Sequence, residues 1–165
     1  MKTKIFSSLL SFVALGVLWC CSVLSASAQV QVDHYYIISN VSNGKVLSTG
    51  GKDAKDAPLV GETLQKNSPN QLWQLKKSEP DAVALYNPFA ELAVDLAIKS
   101  NKGPLLWSLD VTNPNQQLIL EPEGNNFRLR AASYQHEELY LAVTSGGRVM
   151  PVSYTHLRAH ETRED

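Results

Sequence analysis

Tyr36-Ile-Ile-Ser-Asn-Val-Ser-Asn-Gly-Lys-Val-Leu-Ser48 and Val83-Ala-Leu-Tyr-Asn-Pro-Phe-Ala-Glu-Leu-Ala-Val-Asp95 are two copies of one pattern. With the second set beneath the first, Leu85 falls under Ile38, Asn87 under Asn40 and Val94 under Leu47, a constant offset of 47 residues. Later in each unit Asn70-Gln71-Leu72-Trp73 matches Asn115-Gln116-Gln117-Leu118 at an offset of 45. A third unit opens at Phe127-Arg-Leu-Arg130, and its Tyr140-Leu141 lies 94 residues beyond Val46-Leu47. Self-similarity at such a period marks a chain that builds its core by assembling copies of one small unit.

Each unit is made of short strands. β-type runs at 34–39, 45–49, 71–76, 82–86, 92–97, 116–121, 127–131 and 139–144 are separated by Asn43-Gly44, Gly50-Gly51, Asn113-Pro114, Gly124-Asn125 and Gly146-Gly147. Gly and Asn tolerate left-handed backbone and Pro presets φ, so each of these is a turn with a physical cause. No stretch holds a helical period. Many short strands at close spacing predict an all-β sandwich or barrel, and three copies of a unit of about 45 residues favour a threefold barrel.

The aromatic start Tyr35-Tyr36, the turn Ser42-Asn-Gly-Lys45 before Val46-Leu47, and Gln71-x-Trp73 followed by Leu75 together resemble the ricin-B-type (R-type) lectin β-trefoil family. The resemblance spans two repeats and about half of a third. It implies three QxW repeats, of which the third is truncated here, since its motif would fall near residue 163. Trp73 is expected in the core, where burying an indole contributes roughly 3 kcal/mol or more. Leu118, which replaces Trp in the second copy, is expected there too.

In that family a competent repeat is expected to present an Asp after its first conserved strand, an aromatic platform about a dozen residues later, and Asn or Gln near the QxW motif. Carboxylate and amide take the hydroxyls of a sugar, while an aromatic face stacks on its apolar C–H patch. Only the second repeat fits: Asp95, then Trp107 twelve residues on, then Asn113, Asn115 and Gln116. In the first repeat Ser48 replaces the Asp and the platform falls near Glu62, and the third has no acid just after Leu141. Structural readings stand beside these: Asp95 as a turn cap and Trp107 as a half-buried hairpin residue.

Other candidates carry less. His34 and His136 have no Cys or acidic cluster at ligand spacing and read as surface or strand-end residues. Glu121 with Glu123, and Glu137 with Glu138, could be the paired carboxylates of a glycoside hydrolase, but their polar surroundings suggest solvated turns. Asn40-Val-Ser42 is a glycosylation sequon only in a eukaryote. No G-x-S-x-G, phosphate-cradling loop or zinc signature occurs between residues 29 and 151, so no catalytic residue, cofactor or metal is implied.

The two ends differ from the middle. Lys2 and Lys4, an apolar run to Leu24, and Ala26-Ser27-Ala28 compose a secretory signal peptide over residues 1–28, which predicts a secreted, periplasmic or cell-surface domain beginning at Gln29. Trp19 before Cys20 argues against a lipoprotein signal, and the polar run after Leu24 argues against a retained membrane helix. Both cysteines, Cys20 and Cys21, fall in the signal, so no disulfide is expected in the mature domain. Residues 152–162 translate a nucleotide string that resembles the adapter of a transposase-based sequencing library. Residues 152–165 are therefore expected to be non-native, leaving residues 29–151 as an incomplete trefoil, a fragment of the native chain. The pair His156 and His160 beside Glu161, which could hold a metal on a helix, accordingly has no role.

Removing Lys2, Lys4, Arg158 and Arg163 from the 15 basic residues, and Glu161, Glu164 and Asp165 from the 16 acidic ones, leaves a native segment near net −2. That balance gives no electrostatic case for nucleic acid or an anionic membrane as partner. The reading is an exported carbohydrate-binding, lectin-like module that holds a glycan through its second repeat and is not itself an enzyme. Two alternatives stand: an N-terminal accessory domain of a larger secreted glycoside hydrolase, with a catalytic domain downstream in the same chain, and a structural trefoil without a sugar site.

Overall fold

The computed structural model describes residues 30–98, 100, 102–132 and 138–153. The expected signal with Cys20 and Cys21, the residues His136 and Glu137, and the tail with His156, His160 and Glu161 lie outside the described residues. Eleven strands are described in three groups. The first group is β1 (Tyr35–Tyr36), β2 (Val46–Ser48), β3 (Val60–Glu62) and β4 (Trp73–Lys77). The second is β5 (Val83–Asn87), β6 (Leu92–Asp95), β7 (Leu105–Trp107) and β8 (Leu118–Glu123). The third is β9 (Asn126–Ala131), β10 (Leu139–Val143) and β11 (Val149–Ser153).

First and fourth strands line up as an antiparallel wall in the order β1-β4-β5-β8-β9, and the two middle strands of each group pair as a hairpin: β2 with β3, β6 with β7, β10 with β11. Alternation explains which residues enter the core. Leu75 faces Leu85 and Leu120 faces Leu129 across the wall, while Leu47, Val94 and Leu106 point inward from the hairpins. Trp73 and Leu118 are fully buried, as expected of core residues, and the Trp73 indole N–H donates to Leu47 O at 2.9 Å. That bond removes the penalty of burying the one polar atom of the ring.

The hairpins also bind each other. Gly61 N–H donates to Gly147 O at 2.7 Å, joining the first group to the third, and Leu106 N–H donates to Ala57 O at 2.9 Å, joining the second to the first. The 47-residue offset persists in side-chain bonding. Asn40 Oδ1 accepts from the backbone of Ser42 and Asn43, and Asn87 Oδ1 from that of Phe89 and Ala90, each amide closing the turn between its repeat's first two strands.

Three features differ from the sequence reading. The third strand of each repeat (β3, β7 and β11) was not among the expected runs; β3 and β7 have only three residues each, too few for an alternation to register. Gln71 and Gln116, expected in strands, instead close the 3-10 turns Pro69–Gln71 and Pro114–Gln116. Proline at the first turn position supplies the φ, and the Asn113 side chain caps the second turn by accepting from Asn115 N–H at 3.0 Å. Glu121 lies in β8 and bonds Arg130 and Tyr140, so it is a part-buried strand residue and not a solvated turn.

Candidate functional site

Opposite residues of an antiparallel pair point to the same face. In the β6–β7 hairpin Val94 opposes Leu106, and both go into the core; Asp95 opposes Leu105 and Ala93 opposes Trp107, so these four share the other face. Asp95 and Trp107 are therefore diagonal neighbours, a separation within reach of an aromatic side chain. Trp107 is 42% exposed, a large fraction for an indole, and Lys55 Nζ stands 5.6 Å from its ring centroid.

Asp95 is 6% exposed and well bonded. Its Oδ1 accepts from Ala97 N–H at 2.8 Å, and its Oδ2 accepts from Asn113 Nδ2 at 3.1 Å and Gln116 Nε2 at 3.4 Å. Those three donors occupy three of the roughly four acceptor positions a carboxylate offers, so the group is held rigidly with one position left. The expected turn-cap role and a ligand-facing role are thus compatible.

Gln116 is fully buried: its Oε1 accepts from Asp110 N–H at 2.9 Å, and its Nε2 donates to Ser108 O at 2.9 Å as well as to Asp95. Of the residues named from the sequence, Gln116 is therefore the one sealed from solvent, with both amide hydrogens engaged within the protein and one of them on Asp95. Asn113 likewise divides its amide between capping the 3-10 turn and holding Asp95. The backbone of Asn115 anchors the loop after β6, its carbonyl accepting from Leu96 N–H at 2.9 Å, while its side chain remains half-buried.

The other two hairpins show what this constellation lacks elsewhere. In the first, Ser48 opposes Val60 and Val46 opposes Glu62, so Ser48 and Glu62 sit where Asp95 and Trp107 do. The Ser48 hydroxyl accepts from Gly50 N–H at 3.0 Å, the counterpart of the Asp95 to Ala97 bond. Gln71 is as buried as Gln116 and repeats its bonds, with Oε1 accepting from Gln65 N–H at 2.8 Å and Nε2 donating to Thr63 O at 3.0 Å. Its Nε2 also donates to Glu62 Oε2 at 3.5 Å, so a carboxylate reaches the same amide from the neighbouring strand. The sequence reading missed that exchange; the paired changes of Asp to Ser and of platform to Glu were its only signal. In the third, Ala142 opposes Met150, so no acid stands at the first position, and the platform position falls on Val152, opposite Tyr140, where the expected non-native tail begins.

The profile of the ricin-type beta-trefoil lectin domain-like family matches residues 24–106. The chain belongs to that family. The match stops one residue short of Trp107, so it covers the first repeat of this ricin-type domain and the strands of the second up to the platform. No curated protein matches the sequence. Among solved structures the domain is similar to ThreeFoil, a designed threefold-symmetric protein, with 20% identity and a TM-score of 0.61 over 73% of this chain and 88% of that one. It is similar to the lectin of Polyporus squamosus, solved with the human-type influenza-binding epitope, at 16% identity and TM-score 0.58 over 75% of this chain and 45% of that one. An earthworm R-type lectin C-half, solved with GalNAc, gives 17% identity and TM-score 0.54 over 73% and 87%. At these identities the likeness shows the fold alone, which is the β-trefoil, a fold that in the ricin-type lectins serves carbohydrate binding.

Proposed function

We propose that the chain is an exported carbohydrate-binding module that takes one sugar residue on the outer face of the β6–β7 hairpin. The observation that supports this most is that Asp95, with one acceptor position left, and the exposed Trp107 are diagonal neighbours on one face. Asp95 accepts from a sugar hydroxyl, Trp107 stacks on the ring's C–H patch, and the Asn115 amide supplies a further polar contact; Asn113 and Gln116 hold Asp95 in place. The Polyporus and earthworm lectins, each solved with a glycan, support the substrate class. A single such site binds weakly, and useful avidity comes from tethering or multivalency.

The three bonds that tie Asp95 to the protein also favour a second reading, a structural trefoil in which that carboxylate only closes the turn. Trp107 decides between them. Trp107→Ala changes an exposed side chain, so stability should stay within about 0.5 kcal/mol, while affinity for a glycan identified on an array should fall roughly tenfold or more, equivalent to about 1.4 kcal/mol. Asp95→Ala should abolish binding while the fold persists. Glycan affinity unchanged in both variants would falsify the site.

A further inference from the structure

Lys55, the cation beside Trp107, belongs to a different repeat from the hairpin it approaches. It sits in the loop between β2 and β3, at the second position of the tight turn 54–57, where Ala57 N–H donates to Ala54 O at 3.4 Å and Asp56 is left-handed at φ 67°. Backbone bonds pin that turn to the second repeat. Asp56 N–H donates to Leu106 O at 2.8 Å, Leu106 N–H to Ala57 O at 2.9 Å, and Leu59 N–H to Pro104 O at 3.2 Å. Pro58 also bridges Leu105, the residue opposite Asp95. The main chain on the C-terminal side of Lys55 is thus fixed against β7, which delivers its side chain to the Trp107 ring.

The charge of Lys55 is uncommitted. Asp56, next in sequence, gives its carboxylate to Lys102, with 2.5 Å between Oδ2 and Nζ. Lys55 itself makes no hydrogen bond or ion pair among the described residues, and its ammonium stands 5.6 Å from the Trp107 ring centroid. The outer face of the β6–β7 hairpin carries Asp95 and Trp107, and the neighbouring repeat adds a free ammonium at the indole.

That ammonium separates two kinds of ligand. A neutral sugar stacking on Trp107 must share the ring with Lys55 or displace it, and so forfeits the attraction between cation and π face. A sugar whose ring carries a carboxylate lets Lys55 stay, because ammonium and carboxylate form a charge-assisted hydrogen bond beside the ring. Asp95 sets the orientation: like charges repel, so the ligand turns its hydroxyls to Asp95 and its acid to Lys55.

We propose that Lys55 makes this a site for an acidic sugar residue, one whose ring carries a carboxylate, with hydroxyls on Asp95, the C–H face on Trp107 and the carboxylate on the Lys55 ammonium. The inference rests on the reading of the β6–β7 hairpin as the sugar site and adds the charge of the ligand and a specificity residue from the first repeat.

A glycan array probed at low salt with the full 165-residue chain should rank glycans with an exposed carboxylate sugar above neutral ones. The strongest such glycan is then titrated by calorimetry beside its carboxyl-reduced counterpart, in which a primary alcohol replaces the acid. The acid should bind roughly threefold to fivefold more tightly, the range of an exposed ion pair, and the gap should narrow as salt rises. Lys55→Gln should close the gap and Lys55→Arg should restore most of it, whereas Lys52→Gln, at another exposed lysine of the same loop, should leave it open. Array binding confined to neutral or sulfated glycans, a gap that survives Lys55→Gln, or an equal loss in Lys52→Gln overturns the inference, and the sugar site still stands if Trp107→Ala or Asp95→Ala weakens binding. Binding to no glycan, or binding unchanged in both of those variants, overturns the sugar site and this inference with it.

Discussion

Tyr140 and Glu121 show how a few groups set the response to pH. Burial, followed by the nearby carboxylates of Glu138 and Glu121, pushes the Tyr140 hydroxyl up to about 12. Burial also raises the Glu121 carboxyl, but bonds from Arg130 and Tyr140 outweigh it and hold the group below the ordinary carboxylate range. A carboxyl depressed in the folded state stabilises fully above its unfolded pKa, about 4.3, and that contribution disappears as pH falls through the folded value. For Tyr140 the sign reverses: its contribution is complete below about pH 10 and declines as pH rises toward 12. Urea midpoints measured against pH should therefore fall more steeply on the acid side in the unmodified protein than in Glu121→Gln, and parallel curves would remove Glu121 from the account. None of this was legible in the sequence, where Glu121 and Glu123 looked like a turn, because the partner Arg130 lies across a strand pair and not along the chain. Asp95 was singled out through the resemblance, whose pattern places an Asp after the first conserved strand of a repeat, and its neighbours in space, Asn113 and Gln116, lie 18 and 21 residues further along the chain. The burial of Gln116 was not legible, since an amide reads as a surface group until its bonding partners are known.

The Pro-Asn-Gln turns are the element whose chemistry recurs most faithfully. In both, a fully buried glutamine accepts a backbone N–H six residues back and donates to a carbonyl eight residues back, tying the 3-10 turn to the end of the preceding hairpin. The 45-residue offset foretold that the two would match; it did not foretell a 3-10 turn, because three residues carry no period. The three-residue strands β3 and β7 escaped for the same reason, and their pairing depends on backbone bonds that no side-chain pattern records. Replacing either glutamine strands a buried N–H and a carbonyl, so Gln71→Leu should lower stability by about 1–3 kcal/mol and leave glycan affinity intact. Gln116→Leu should lower stability by a similar amount and also weaken glycan binding, because Asp95 loses one of its restraints. Urea titration alongside glycan titration of both variants separates the two effects, and equal loss of glycan affinity in both would show that the turns act only through global stability.

At the scale of the molecule the first and third hairpins meet where Gly61 passes Gly147, and the contact leaves no room for a side chain. A Cβ on Gly61 would lie 2.1 Å from Val143 Cγ1 and 3.3 Å from Gly147 Cα, both in the third repeat. Gly61 N–H also makes the 2.7 Å bond to Gly147 O, so the first and third repeats are held together by a contact that only glycine permits. Gly61→Ala must displace Val143 or separate the hairpins, and overpacking of this kind costs about 1–3 kcal/mol. If the repeats fold as one unit, the loss appears as a lower urea midpoint of a single transition with an unchanged slope. The mechanism can be isolated, because Val143→Ala removes the methyl that the new Cβ would strike. The double variant should then be less destabilised than the sum of the two single changes, as expected of residues in direct contact. Strict additivity would place the cost in the backbone bond to Gly147, making the joint between repeats one of hydrogen bonding and not of steric fit.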